Sequence, residues 1–139
     1  MKKNGNYSKL EDKLEKFFIE SNISYIPQYK DARYPTHCDF YLPYTDTFIE
    51  INGYWHHNNH FYDKNNKEDL ETLKIWKEKS KTKPQYKVAI EVWTIRDVKK
   101  LNYAKQNNLN YIVLWSKQDV DLFIKNFTNI ITTKKGLGI

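Results

Sequence analysis

His37-Cys-Asp39-Phe-Tyr-Leu-Pro43, a short polar turn at residues 44–46, and Thr47-Phe-Ile-Glu50-Ile-Asn52-Gly-Tyr-Trp-His56-His57-Asn-Asn-His60 decide the reading of this chain. Two β-rich segments, 37–42 and 47–53, meet at the turn. Each carries a carboxylate where an apolar residue is expected, Asp39 in the first and Glu50 in the second. Side chains of a strand alternate between faces, so Glu50 and Asn52 share one face and Ile49 and Ile51 the other. If the segments pair, Asp39 and Glu50 can converge at one end of the sheet, and a loop with His56, His57 and His60 follows at once. Two close, partly buried carboxylates repel, and a bound divalent metal removes that cost. The expected occupant is Mg²⁺.

Working outward, 139 residues suffice for one domain with a real core but not for two. A net charge of +6 carried largely by lysine, with 16% aromatic residues, makes nucleic acid the leading partner. Non-specific stickiness is the bland alternative. Cys38 is the single cysteine, which excludes a disulfide framework and a cysteine-rich zinc finger. No apolar run approaches the ~20 residues of a membrane span, and Met-Lys-Lys-Asn-Gly at the N-terminus lacks a signal-peptide apolar region. The expectation is a cytoplasmic protein with no membrane contact; oligomeric state is left open.

Along the chain, Ser8 is expected to cap a first helix, with Glu11 completing a capping box and Leu10, Leu14, Phe17 and Phe18 forming its apolar stripe. Glu11 lies at the edge of that stripe and Glu15 further round, so Glu11 could lean toward the sheet; a solvated carboxylate is the alternative. Residues 23–29 read as a strand in which Pro27 favours an edge or a bulge. Residues 30–36 form a basic loop containing Arg33. Residues 58–67 read as a polar loop over the site. A lysine-rich helix is expected over 68–80, with Leu70, Leu73 and Trp76 inward, and Pro84 breaks it. In the next helix Ile90, Trp93, Leu101 and Ala104 fall on one side, with Asp97 at its centre. A carboxylate there needs a partner. A structural partner would be an arginine or lysine, Arg33 for one, or a core tyrosine hydroxyl; a functional partner would be one of the loop histidines, and spacing alone leaves the two readings even. Residues 111–115, Tyr-Ile-Val-Leu-Trp, read as a strand covered on both faces. Residues 116–119 cap a last helix with the stripe Val120, Phe123, Ile124, Phe127 and Ile131, and residues 132–139 read as a flexible tail. The fold class is α/β (α+β), a mixed β-sheet flanked by helices in the order αβββααβα, one domain over residues 1–139.

Ser8-Lys-Leu-Glu11, Cys38-Asp39-Phe40, Gly53-Tyr-Trp-His56, Arg96-Asp97 and Asn110-Tyr-Ile-Val-Leu-Trp115 follow one another in an order that resembles the PD-(D/E)XK nuclease superfamily. More closely, they resemble the very short patch repair (Vsr) endonucleases and phage homing endonucleases of the same restriction-endonuclease-like fold. The resemblance implies a metal-dependent DNA endonuclease acting on double-stranded DNA. It makes Asp39 and Glu50 the metal ligands, with the Ile51 carbonyl as a backbone ligand for Mg²⁺ or a substituting Mn²⁺. It makes His56 the catalytic histidine, Asp97 the aspartate that orients it, and Glu11 the helix glutamate that completes the site. It therefore favours Glu11 over Glu15 and His56 over Arg33 as Asp97's partner.

Three departures stand out. Asn52 occupies the superfamily's lysine position; a neutral amide there can position a phosphate or a water but supplies no charge. No structural zinc is expected, since Cys38 stands alone. Glu50 is an acid where the repair enzymes have none. Tyr54 and Trp55 can pack beneath the loop or, as the resemblance suggests, stack on bases. His57 and His60 can serve catalysis, bind phosphate or take up a stray transition metal. Arg33, His57 and the lysines Lys74, Lys77 and Lys79 are candidate DNA contacts, which set affinity and not sequence. The alternatives are a branched-DNA or recombination nuclease and a non-catalytic DNA-binding module. An HNH-type site from His56, His57, Asn59 and His60 is weak, because those residues cluster in one short run.

Overall fold

Alternation in the Asp39–Glu50 region does produce a hairpin, and the rest of the molecule is layered on it. The structure, a computed structural model, describes the backbone of residues 5–136 and the side chains of residues 9–128. Helix α1 (Gly5–Glu20) leads into strands β1 (Ile26–Tyr29), β2 (Cys38–Leu42) and β3 (Thr47–Ile51). A 3₁₀ turn (Trp55–His57) follows, then α2 (Lys67–Lys79), α3 (Gln85–Glu91), a π-helical segment (Val92–Arg96) and α4 (Asp97–Gln106). Strand β4 (Asn110–Leu114) and helix α5 (Lys117–Gly136) complete the order.

The four strands form one mixed sheet in the order β1-β2-β3-β4. β1 with β2 and β2 with β3 are antiparallel; β3 with β4 is parallel. Asp46, in the β2–β3 turn, takes a left-handed φ of 50°, a conformation Asp tolerates better than most residues. On one sheet face Phe40, Leu42, Ile49, Ile51 and Leu114 pack against Leu14 and Phe18 of α1 and Val120 of α5. The other face carries Phe48, with Tyr34 from the preceding loop and Tyr29, Tyr41 and Tyr111 around it. A third cluster, Trp76, Ala89 and Trp93, joins α2 to the α3–α4 run. α1 passes so close to the end of β3 that a Cβ on Gly53 would lie 2.7 Å from Leu10 Cδ1.

Several expectations need correction. α1 starts at Gly5, so Ser8 lies inside the helix and is not its cap. β1 is shorter than 23–29; it begins at Ile26, pairs only with β2, and Gln28 takes a φ of 51°. Leu70 is 47% exposed: the inward face of α2 runs through buried Asp69 and Trp76 and half-buried Leu73, one residue away from the expected stripe. Asp69 is held inward there: its Oδ2 accepts the Asp63 N–H and its Oδ1 lies 2.6 Å from His60 Nε2, while its own N–H donates to Oδ1 of the cap Asn66. β4 is half-buried along most of its length, because it forms an edge of the sheet. α5 continues to Gly136, so most of the expected tail is helical; residues 137–139 and the Ile131 side chain lie outside the described residues. Among the described residues, no helix is long and apolar enough to cross a membrane.

Candidate functional site

The β2–β3 ladder pairs Phe40 with Ile49 and goes no further toward the Asp39 end. Beyond that point, side chains take over the backbone donors. The Ile51 N–H donates to Asp39 Oδ2 at 2.8 Å, and the Asp39 N–H donates to Glu50 Oε1 at 2.9 Å. Each carboxylate thus binds the opposite strand, which brings the two together on one face. Asp39 is 8% exposed and Glu50 2%. The convergence expected from the period-two pattern is present.

Glu50 is held from three directions. Besides the Asp39 N–H, its Oε2 accepts the Tyr34 hydroxyl at 2.7 Å and lies 2.9 Å from the Lys100 ammonium. The Tyr34 oxygen lies 2.7 Å from the Tyr111 hydroxyl, and because Tyr34 spends its proton on Glu50, Tyr111 is the donor of that pair. Burial and the nearby Asp39 charge push the Glu50 carboxyl above its ordinary pKa, with Lys100 opposing them in part. Burial alone would lower the Lys100 ammonium, but Glu50 overrides it and holds the lysine above its usual value. Burial and Glu50 push the Tyr34 and Tyr111 hydroxyls up as well, so both stay protonated donors.

Lys100 comes from α4, as does Asp97, which is 1% exposed. The helical periodicity predicts Asp97 inward, and the structure places it there. Its partner, however, is not His56. His57 Nδ1 lies 2.7 Å from Asp97 Oδ2, and because a carboxylate only accepts, Nδ1 is the donor of that pair. His57 is 7% exposed, whereas His56 is half-buried and rests against Tyr54, with ring centroids 4.5 Å apart. Burial, then the neighbouring His57, lowers the His56 pKa to about 4, so its ring is neutral near pH 7. The 3₁₀ turn is the reason for the exchange: at three residues per turn, adjacent histidines point about 120° apart. Asp97 Oδ1 is buried and accepts no hydrogen bond from the described residues.

Other candidates sit elsewhere. Arg33 is not Asp97's partner; it is bound by Asp31 at 2.7 Å and Asp46 at 2.9 Å, which close the loop against the hairpin turn. His60 Nε2 lies 2.6 Å from Asp69, and its carbonyl accepts the Trp93 indole N–H at 3.0 Å. The loop that carries His60 is therefore pinned to the helical layer. Glu15 accepts the Tyr25 hydroxyl at 2.9 Å, whereas Glu11 is half-buried in the turn of α1 next to Gly53. Asn52 is buried, its N–H donating to the Leu114 carbonyl at 2.8 Å. Trp55 is 42% exposed and packs one edge on Trp76 and Tyr86. Lys74 and Lys77 are exposed on α2.

Sequence reasoning missed Lys100, Tyr34 and Tyr111. Lys100 had one available signal, its i, i+3 spacing from Asp97 on the same helix.

Among the described residues, no group of three or more His, Cys, Asp and Glu side chains is gathered to hold a metal. Asp39 and Glu50 are two, and with backbone carbonyls they form an all-oxygen set of the kind hard cations take. The two carboxylates, held together by reciprocal bonds to the opposite strand's N–H groups, face one ammonium, and the Lys100 ion pair is what a cation on Glu50 would have to displace. The chain matches no protein-family model, no curated protein and no solved structure.

Proposed function

We propose that this protein is a metal-dependent DNA endonuclease of the restriction-endonuclease-like class, with Asp39, Glu50 and the Ile51 carbonyl holding Mg²⁺. The observation that carries this reading is the reciprocal Asp39–Glu50 pair at the splayed end of β2 and β3, with a helix-borne His57–Asp97 pair and Lys100 beside it. Held by Asp39, Glu50 and the Ile51 carbonyl, Mg²⁺ would supply Lewis-acid stabilisation of the phosphoryl oxygen and lower the pKa of a water.

The chain's own residues do the rest. Tyr34 and the Asp39 N–H fix Glu50 in one rotamer, so the carboxylates stay converged. Asp97 fixes the His57 tautomer and stabilises the imidazolium formed when Nε2 takes a proton. His57 thus takes the role first assigned to His56. A half-buried ring with a pKa of about 4 is a poor proton carrier at neutral pH. The exposed part of Trp55 with half-buried Tyr54 offers a stacking surface, and Lys74 and Lys77 serve phosphate contact.

One observation favours a second reading, a non-catalytic DNA-binding module: both Glu50 oxygens already have donors, and Lys100 supplies a counter-charge. Supercoiled plasmid with Mg²⁺ separates the two. The endonuclease reading predicts nicking that Asp39→Ala and His57→Ala abolish while DNA binding persists. Binding without nicking by the intact chain, on linear and on branched DNA alike, would leave the module.

A further inference from the structure

The Lys100 ammonium lies 2.9 Å from Glu50 Oε2, one of the two carboxylate oxygens a divalent cation on Glu50 could take. Two cations on one carboxylate oxygen repel each other in a buried site, so each weakens the other's hold on it. Resting on the metal-site reading above, we propose that Lys100 is a displaceable internal counter-ion: it occupies Glu50 while no divalent cation is bound, and moves to Asp97 Oδ1 when one enters.

Three features support the exchange. Glu50 Oε1 and Oε2 are both engaged, and of their three donors only Lys100 can leave without breaking the sheet end or the tyrosine pair. The Asp39 N–H is fixed backbone, and the Tyr34 hydroxyl belongs to a residue only 1% exposed. Next, Asp97 Oδ1 is a buried carboxylate oxygen with no donor among the described residues. Such an oxygen carries a desolvation cost that an arriving ammonium would remove. Finally, Asp97 and Lys100 stand three residues apart on α4, neighbours on one helix face, and the four-carbon lysine stem is flexible enough to serve either carboxylate. The lysine keeps its proton and charge throughout; only its partner changes. A site built this way keeps Glu50 paired in the absence of metal and keeps a cation at hand for the substrate phosphate when metal arrives.

Mn²⁺ titration by calorimetry at pH 8 tests this, with intact chain, Lys100→Met, Asp97→Asn and Asp39→Asn compared under one ionic strength. Removing the competitor should tighten Mn²⁺ binding by about tenfold or more in Lys100→Met, since one nearby positive charge is gone. Removing the second seat should weaken it several-fold in Asp97→Asn. In the intact chain, the ¹⁵N side-chain resonance of Lys100 should shift on adding Mg²⁺, saturating with the binding isotherm; this readout does not depend on any variant folding. An unmoved Lys100 resonance, or unchanged or weaker Mn²⁺ affinity in folded Lys100→Met, would overturn the exchange. If Asp39→Asn still loses Mn²⁺ in that case, the metal site stands without it. Absence of Mn²⁺ binding by the intact chain would overturn both.

Discussion

Replacing Tyr34 by Phe removes one oxygen and leaves the buried ring in place, so its effect reads the two bonds that oxygen makes, and the pH dependence separates the one to Glu50. Tyr34 is 1% exposed, donates to Glu50 Oε2 at 2.7 Å and receives the Tyr111 hydroxyl at 2.7 Å. A hydrogen bond to a charged group is worth roughly 1.5–3 kcal/mol net, so about 2 kcal/mol of folding stability should be lost while Glu50 is ionised. With a urea m-value of about 2 kcal/mol/M, that is a midpoint shift of about 1 M at constant m. The loss should depend on pH. Burial and Asp39 hold the Glu50 carboxyl above its ordinary value, so its ionisation costs stability as pH rises through the folded pKa. Removing a donor from the ionised form pushes that pKa higher still. The penalty of Tyr34→Phe is therefore full above the folded pKa of Glu50. Below it, where a neutral bond is lost instead, it shrinks to about 1 kcal/mol. Urea titrations of both chains across the acid-to-neutral range give the answer. A penalty that is flat with pH, or below about 0.5 kcal/mol throughout, would refute the view that Tyr34 holds an ionised Glu50.

The histidines should separate cleanly. His57→Gln should slow Mg²⁺-dependent nicking by about 10²–10⁴-fold, the usual worth of a proton-transfer group, and His56→Gln by less than about tenfold. The His56 ring should titrate in NMR near its lowered pKa of about 4. Because that folded value is depressed, the stability owed to neutral His56 is complete above the ordinary histidine pKa and is lost as pH falls toward about 4. Lys74→Ala and Lys77→Ala should each weaken DNA binding without regard to sequence. Each should also reduce the slope of log affinity against log salt by about 0.9, measured by fluorescence anisotropy over a salt series.

Much of the site was legible because strand and helix periods are short and strict. Period two put Asp39 and Glu50 opposite each other once the turn at residues 44–46 joined their strands, and helical spacing put Asp97 inward with Trp93. Where those periods fail, the reading failed. His56 and His57 lie in a 3₁₀ turn bounded by Asn58 at φ 54°, and no repeat there tells which ring meets α4. Lys100 is adjacent to Lys99, and only the true helix phase distinguishes them. A π-helical segment at Val92–Arg96, five residues long and ending just before Asp97, shifts that phase. Arg33 looked free for DNA or for Asp97, because its partners Asp31 and Asp46 become neighbours only when the loop folds onto the hairpin. Strand β4 looked covered on both faces, because composition cannot show that it lies at the edge of the sheet.

The central claim is that the Asp39–Glu50 pair is a seat for one hard cation. Crystals soaked in Mn²⁺ and measured for anomalous scattering test it most directly. The account predicts a single ion about 2 Å from a carboxylate oxygen of each residue, with the Ile51 carbonyl and solvent completing its shell. A saturating soak that leaves both carboxylates bound as they are here, or that places the ion on the histidine turn alone, would contradict it.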